Sequence, residues 1–170
     1  MTHPITVPTP RRTVRVGGAL ALALGLTAAT AAQAQDYKSY PGSACQASGS
    51  AQGLYYSDYA VANRQDATAS AACPFVRDNV SDPWTRIVVH VRDRHSTEDI
   101  CCVARARDVN GGSAWAETAC TSGEGFQALS FGPPQSAVPA WGPYTLICSL
   151  PPMEEPNQPS YIASYRIAEP

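Results

Sequence analysis

The side chains best suited to chemistry crowd into one stretch, Arg86 to Asp108, which reads RIVVHVRDRHSTEDICCVARARD. His90 and His95 stand there with Asp93, Arg94, Glu98 and Asp99. Imidazole and carboxylate are the groups that ligate a divalent metal or trade a proton. Solvent serves the same residues equally well if they form a chain reversal. Period-two alternation turns His90 outward and leaves His95 in the turn, so nothing in the spacing makes the two imidazoles converge. Asp108, Asn110 and Glu117 are oxygen donors that would suit a structural calcium ion, but the D-x-[DN]-x-[DN]-G run is missing. Asp108 and Asn110 are also ordinary turn residues. There is no G-x-S-x-G, and the acidic residues fall mostly in turns. No catalytic residue is assigned, and apart from structural calcium no cofactor is expected.

Two further sets point to binding rather than catalysis. Tyr55, Tyr56, Tyr59, Trp84, Trp115, Trp141 and Tyr161 include several rings in or beside loops. Exposed flat rings form platforms for sugar rings, while buried ones simply pack. Trp141, within Pro139-Ala140-Trp141-Gly142-Pro143, is the most exposed candidate on sequence grounds; Tyr55, Tyr56 and Trp84 follow it. Arg86, Arg92, Arg105 and Arg107 share the outward parity of Arg86–Asp108 with His90. They make either a basic stripe for an anionic glycan or acidic partner, or a row of arginines paired with nearby carboxylates. Arg105 and Arg107 join the aromatic residues as binding candidates.

The elements that must position these residues begin after a leader. Arg11, Arg12 and Arg15 precede the apolar run Gly17–Ala29, and Ala32-Gln33-Ala34 is an A-x-A site. That is the pattern of a secretory signal peptide, expected to span 1–34 and to be cleaved. The apolar run is short for a bilayer span, and no second one follows. Residues 35–170 are of single-domain length. The leader holds three of the twelve basic residues and none of the fourteen acidic ones, so the remainder is more acidic than the chain's net charge of −2. Such a balance argues against a nucleic-acid binder. The expected location is secreted or periplasmic, with no transmembrane segment in the mature chain.

Strand signals dominate residues 35–170. Ile87, Val89 and Val91 alternate with Val88, His90 and Arg92; Ile100, Cys102, Ala104 and Ala106 alternate with Cys101, Val103, Arg105 and Arg107. This predicts a central β-hairpin closed by the polar segment Asp93–Asp99. Further strands are expected at 54–62, from Cys73, at 113–120, 126–131, 144–150 and 161–168, separated by Asn-Gly and proline-rich turns. About eight short strands without a long helix predict an all-β fold, an antiparallel β-sandwich of jelly-roll type.

Six cysteines, Cys45, Cys73, Cys101, Cys102, Cys120 and Cys148, suit disulfides in an exported chain. Cys102 and Cys148 both lie on inward faces, and Cys101 points the other way with Cys120 at the end of the next strand. The preferred pairing is Cys45–Cys73, Cys101–Cys120 and Cys102–Cys148. One reading competes: if Glu117 faces outward, parity turns Cys120 inward and favours Cys102–Cys120 unless a bulge intervenes.

At Cys73-Pro74-Phe75-Val76-Arg77-Asp78-Asn79, at Tyr144-Thr145-Leu146-Ile147-Cys148-Ser149-Leu150-Pro151-Pro152 and at Ser164-Tyr165-Arg166-Ile167-Ala168-Glu169 the chain resembles a group of uncharacterised secreted proteins of Gram-negative bacteria. These have a signal peptide and one disulfide-linked β-sandwich domain. The resemblance implies fold and compartment and transfers no catalytic residue. The reading that follows is a non-catalytic binding or structural β-sandwich, a carbohydrate- or surface-binding module whose partner is a glycan or a cell-envelope component. A polysaccharide-acting enzyme of the same fold and a purely structural envelope protein are the alternatives.

Overall fold

A computed structural model describes residues 36–49, 53–78, 82–134 and 142–170. They form two antiparallel sheets packed as a β-sandwich. The strands are β1 (Asp36–Pro41), β2 (Gln46–Ala47), β3 (Leu54–Tyr56), β4 (Val61–Asn63), β5 (Ala69–Pro74), β6 (Arg86–Asp93), β7 (Cys101–Arg107), β8 (Ser113–Cys120), β9 (Gly125–Phe131), β10 (Tyr144–Leu150) and β11 (Tyr161–Glu169). One sheet runs β3-β4-β11-β6-β9, with β1 also paired to β11; the other runs β2-β5-β10-β7-β8.

Eleven strands replace the expected eight, for local reasons. The segment 54–62 splits because Ser57 turns the chain: its Oγ accepts from Ala60 N–H at 3.0 Å, and its N–H donates to Ala60 O at 2.9 Å. The polar N-terminal stretch supplies two strands that line β11 and β5. Between them Gly42 lies so close to the chain that an added Cβ would stand 2.0 Å from Ile162 O. Only glycine permits that approach, which carries Cys45 into the core beside Cys73. The sequence pattern predicts a strand only from Cys73, but β5 begins earlier, at Ala69, and its Ala69, Ala71 and Cys73 alternate as small inward residues.

The larger correction concerns Arg86–Asp108, which is not a hairpin. β6 pairs with β11 and β9, whereas β7 pairs with β10 and β8. The polar segment between them crosses from one sheet to the other. Both apolar sets still face one core, as alternation requires, but from opposite sides of it. Ile87, Val89 and Val91 meet Cys102, Ala104, Ala106, Leu146 and Leu150 in a single buried cluster. Asp93, 1% exposed, anchors the crossing. Its Oδ1 accepts from His95 N–H and Ser160 Oγ, both at 3.1 Å, and its Oδ2 from Ile100 N–H at 3.0 Å and from Thr121 Oγ1. A buried carboxylate is tolerable only when its acceptor capacity is filled in this way.

The disulfides are Cys45–Cys73, Cys101–Cys120 and Cys102–Cys148. Cys101 and Cys102 point to opposite faces of β7, so two bridges join β8, β7 and β10, one outside the sandwich and one inside. Cys102–Cys148 therefore ties neighbouring strands of one sheet. The competing parity for β8 fails at Glu117. It pairs with inward Ala104, and its Oε2 accepts from Gly132 N–H at 3.1 Å at the sandwich rim. With Glu117 inward, Cys120 is outward opposite Cys101.

Candidate functional site

The outer face of the six-stranded sheet carries one in-register row. Phe126 of β9 pairs with Arg92 of β6, Arg92 with Tyr161 of β11, Tyr161 with Ala62 of β4, and Ala62 with Tyr55 of β3. At about 4.8 Å per strand the row spans about 19 Å. Ala62 is its low point. Between the tyrosines on either side lies a hollow of about 160 Å³, lined also by Ser57, Tyr59, Arg64 and Pro159. Phe126 is 66% exposed and Tyr55 44%. The Phe126 and Tyr161 rings meet edge to face at 6.2 Å. Burial, with the neighbouring Tyr59, raises the Tyr161 pKa, so its phenol stays a neutral hydroxyl, able to donate and accept hydrogen bonds.

Guanidinium groups share this face with the rings. The Arg64 guanidinium carbon lies 3.6 Å from the Tyr55 ring centroid, that of Arg92 4.4 Å from Phe126, and that of Arg166 5.7 Å from Tyr37. At these distances the cation is attracted to the ring face. Arg92 also borders a polar depression of about 180 Å³, lined with it by Arg94, Ser96, Glu124, Glu154, Glu155 and Gln158. There Ser96 N–H and Oγ both donate to Glu154 at 2.7 Å, and Arg94 donates to Gln158 at 2.7 Å.

The residues singled out from sequence separate on this structure. Tyr55 belongs to the row. Tyr56, equally exposed, alternates to the opposite side of β3 and pairs with Val61. Trp84 is 0% exposed: its Nε1 donates to Gly132 O at 3.0 Å, and its ring packs edge-on against Trp115 and Tyr144. It is core, because an indole that large with its one donor satisfied is worth most when buried. Trp141 lies outside the described residues. The basic stripe is divided: Arg86, His90 and Arg92 face out from the six-stranded sheet, Arg105 and Arg107 from the five-stranded one. Arg107 donates to Gly111 O at 2.6 Å across its own turn.

The histidine–carboxylate group does not assemble either. His90 is exposed in mid-strand, between Ser164 and Ala128. His95 Nδ1 accepts the backbone N–H groups of Thr97 and Glu98 at 3.2 and 2.9 Å. Asp93 is buried, and Asp99 accepts from Gly123 N–H at 3.2 Å. Asp108 Oδ1 takes the N–H groups of Asn110 and Gly112, both at 2.8 Å, while Glu117 lies along β8 on the inner side. Among the described residues no three His, Cys, Asp or Glu side chains gather as a metal-holding group. No helix there is long and apolar enough to cross a membrane.

Phe126, Ala62 and Arg64 had no signal in isolation. FQALSF has a phenylalanine at each end and gives no clear parity, and Ala62 matters only through its cross-strand neighbours.

No protein-family model matches the chain, and no curated protein is detectably similar to it. Among the solved structures similar in architecture are three carbohydrate-binding modules. One is a low-affinity xylan-binding module, CBM86, from Roseburia intestinalis, with a TM-score of 0.46 and 11% identity over 78% of this chain and 94% of that one. A second is a family 11 carbohydrate-binding module from Clostridium thermocellum, in complex with a β-1,3-1,4-mixed-linked tetrasaccharide: TM-score 0.41, 10% identity, 77% and 87% coverage. The third is a CBM4 structure, with a TM-score of 0.30, 8% identity and 79% and 86% coverage. Likeness at this level concerns fold alone, and the reading of the site rests on this chain's own residues.

Proposed function

We propose that the chain is a non-catalytic glycan-binding β-sandwich, exported after loss of residues 1–34, whose site is the outer face of the six-stranded sheet. The observation that carries this is the row Tyr55–Ala62–Tyr161–Arg92–Phe126, in register across five strands. Rings two strands apart with a small residue between them leave a slot of sugar-ring depth. Its walls offer apolar ring faces, and its rim offers hydroxyl and guanidinium donors. Pyranose rings present the matching pattern of C–H patches and equatorial hydroxyls. A strand-borne row also needs little rearrangement on binding, which lowers the ordering cost. The export reading is supported by the leader pattern and by three disulfides. The chain's place beside the secreted disulfide-linked proteins it resembles is part of the same proposal.

The test is binding of soluble oligosaccharides by calorimetry or an array, with two variants. Tyr161→Ala removes a wall and is expected to weaken binding about tenfold or more. Ala62→Trp fills the slot and is expected to abolish binding while the protein stays folded by circular dichroism. Binding unaffected by both variants, or no binding across neutral and acidic glycans, overturns the proposal.

A further inference from the structure

Resting on that reading, we infer that the glycan is acidic: the face selects a polysaccharide bearing carboxylate or sulfate groups, held by Arg64 and Arg92 with Arg166 as a third contact. The outward positions of the six-stranded sheet are Tyr55, Ala62, Tyr161, Arg92 and Phe126 in the first row, then Pro41, Ser164, His90 and Ala128, then Ser39, Arg166, Val88 and Ser130, and finally Tyr37, Ala168 and Arg86. They include three arginines and a histidine and no carboxylate, in a chain that is acidic overall. Arg64 extends the same parity beyond Ala62.

The arginines are held but not neutralised. Among the described residues, none of Arg64, Arg92 and Arg166 forms an ion pair or donates a side-chain hydrogen bond, and the Nε of Arg92 is buried without a partner. The basic residues at the sandwich's other end behave differently. Lys38 binds Glu169 at 2.5 Å and Asp78 at 3.2 Å, and Arg77 lies 3.7 Å from Glu169. On the glycan face the partners are rings. A ring face attracts a guanidinium without taking up its N–H donors, and those donors can grip a carboxylate or sulfate with two parallel hydrogen bonds. A neutral sugar would have to compete with these cations for the ring faces, whereas an anionic one is drawn to them. Glu124, Glu154 and Glu155 lie in the polar depression that Arg92 and Arg94 also line, and Ser96 and Gln158 already bond to the last two. These carboxylates make that end the acidic edge of the site and direct an anionic chain toward Arg64 and Arg166. Arg64 follows β4 and Arg92 lies on β6, two strand spacings or about 10 Å apart, and their guanidinium groups lie over the Tyr55 and Phe126 rings at the two ends of the row, so the site suits an oligosaccharide rather than one sugar.

The experiment compares an oligogalacturonate with the same oligomer fully methyl-esterified, which has its shape but no charge. The expected result is about tenfold tighter binding of the free acid, a margin that shrinks as salt is raised from about 20 to about 500 mM. In Arg64→Gln/Arg92→Gln, which keeps long polar side chains and a folded protein, that margin is expected to vanish. Arg105→Gln on the far face is expected to retain it. Equal affinity for acid and ester overturns the inference and leaves the glycan-binding reading standing. Failure to bind either these or any other neutral or acidic glycan overturns both. A preference for the acid that survives in the double variant removes Arg64 and Arg92 from the role.

Discussion

The two outer faces of the sandwich are built from strands of nearly identical pattern, and they present opposite chemistry. The face of the six-stranded sheet carries Tyr55, Tyr161 and Phe126 with guanidinium groups over exposed rings. The face of the five-stranded sheet carries Val103, Ile147, Thr118 and Ala116, closed by the Cys101–Cys120 bridge, and Arg107 is engaged in its own turn. One face has a hollow between tall rings; the other carries aliphatic side chains, Arg105 and a covalent staple. The covalent staple and the proposed binding face thus lie on opposite sides of one core. Alternation within a strand says only that a side chain leaves the core. Which neighbours it then meets depends on the sheet that receives the strand.

This contrast can be broken from the middle. Trp84 lies in the layer both sheets share, against Trp115 and Tyr144. Trp84→Ala is expected to cost about 3–5 kcal/mol, read from urea unfolding, and both faces should be lost together. A smaller effect sharpens the comparison. Replacing Cys101 and Cys120 together by serine is expected to cost about 2–4 kcal/mol, yet leave glycan affinity in the folded protein unchanged, because the bridge lies on the other face. A parallel loss of affinity at a temperature where the variant is folded would show that the faces are coupled.

The smallest effect concerns pH. Hydrogen bonds from the Ser96 backbone N–H and then from its hydroxyl hold the Glu154 pKa below its ordinary 4.5. A carboxyl lowered in the folded state contributes stability that is present above 4.5 and is lost as pH falls through its folded value. A slight drop in the thermal midpoint is therefore expected on acidification below about 4.5, absent in Glu154→Gln. Lys38 works at the other extreme. Burial pulls its pKa down, but the hydrogen bonds and charges of Glu169 and Asp78 outweigh this and leave it raised. With its carboxylate partners ionised, its contribution is present below 10.5 and is lost as pH rises through the raised value.

Much of this protein was determined by local pattern. Period-two apolar alternation marked the inward residues of β6, β7 and β10 because strand geometry admits only two sides. Adjacent Cys101 and Cys102 had to serve opposite faces for the same reason, which led to the pairing the structure has. The absence of any helical stripe set the fold class. Three things were decided only by tertiary structure. The Asp93–Asp99 segment looked like a hairpin turn, but a polar connection reads the same whether it reverses beside its own strand or crosses to another sheet. What makes it cross is the buried Asp93 binding Ile100, Thr121 and Ser160, residues remote from one another in the chain. The charge of Glu117 alone points to solvent, yet it sits at the rim of the inner face, where its carboxylate accepts from Gly132 N–H. The candidate site itself joins residues 55, 62, 92, 126 and 161. No local rule brings those five together, because a cross-strand row exists only once the strand order is chosen.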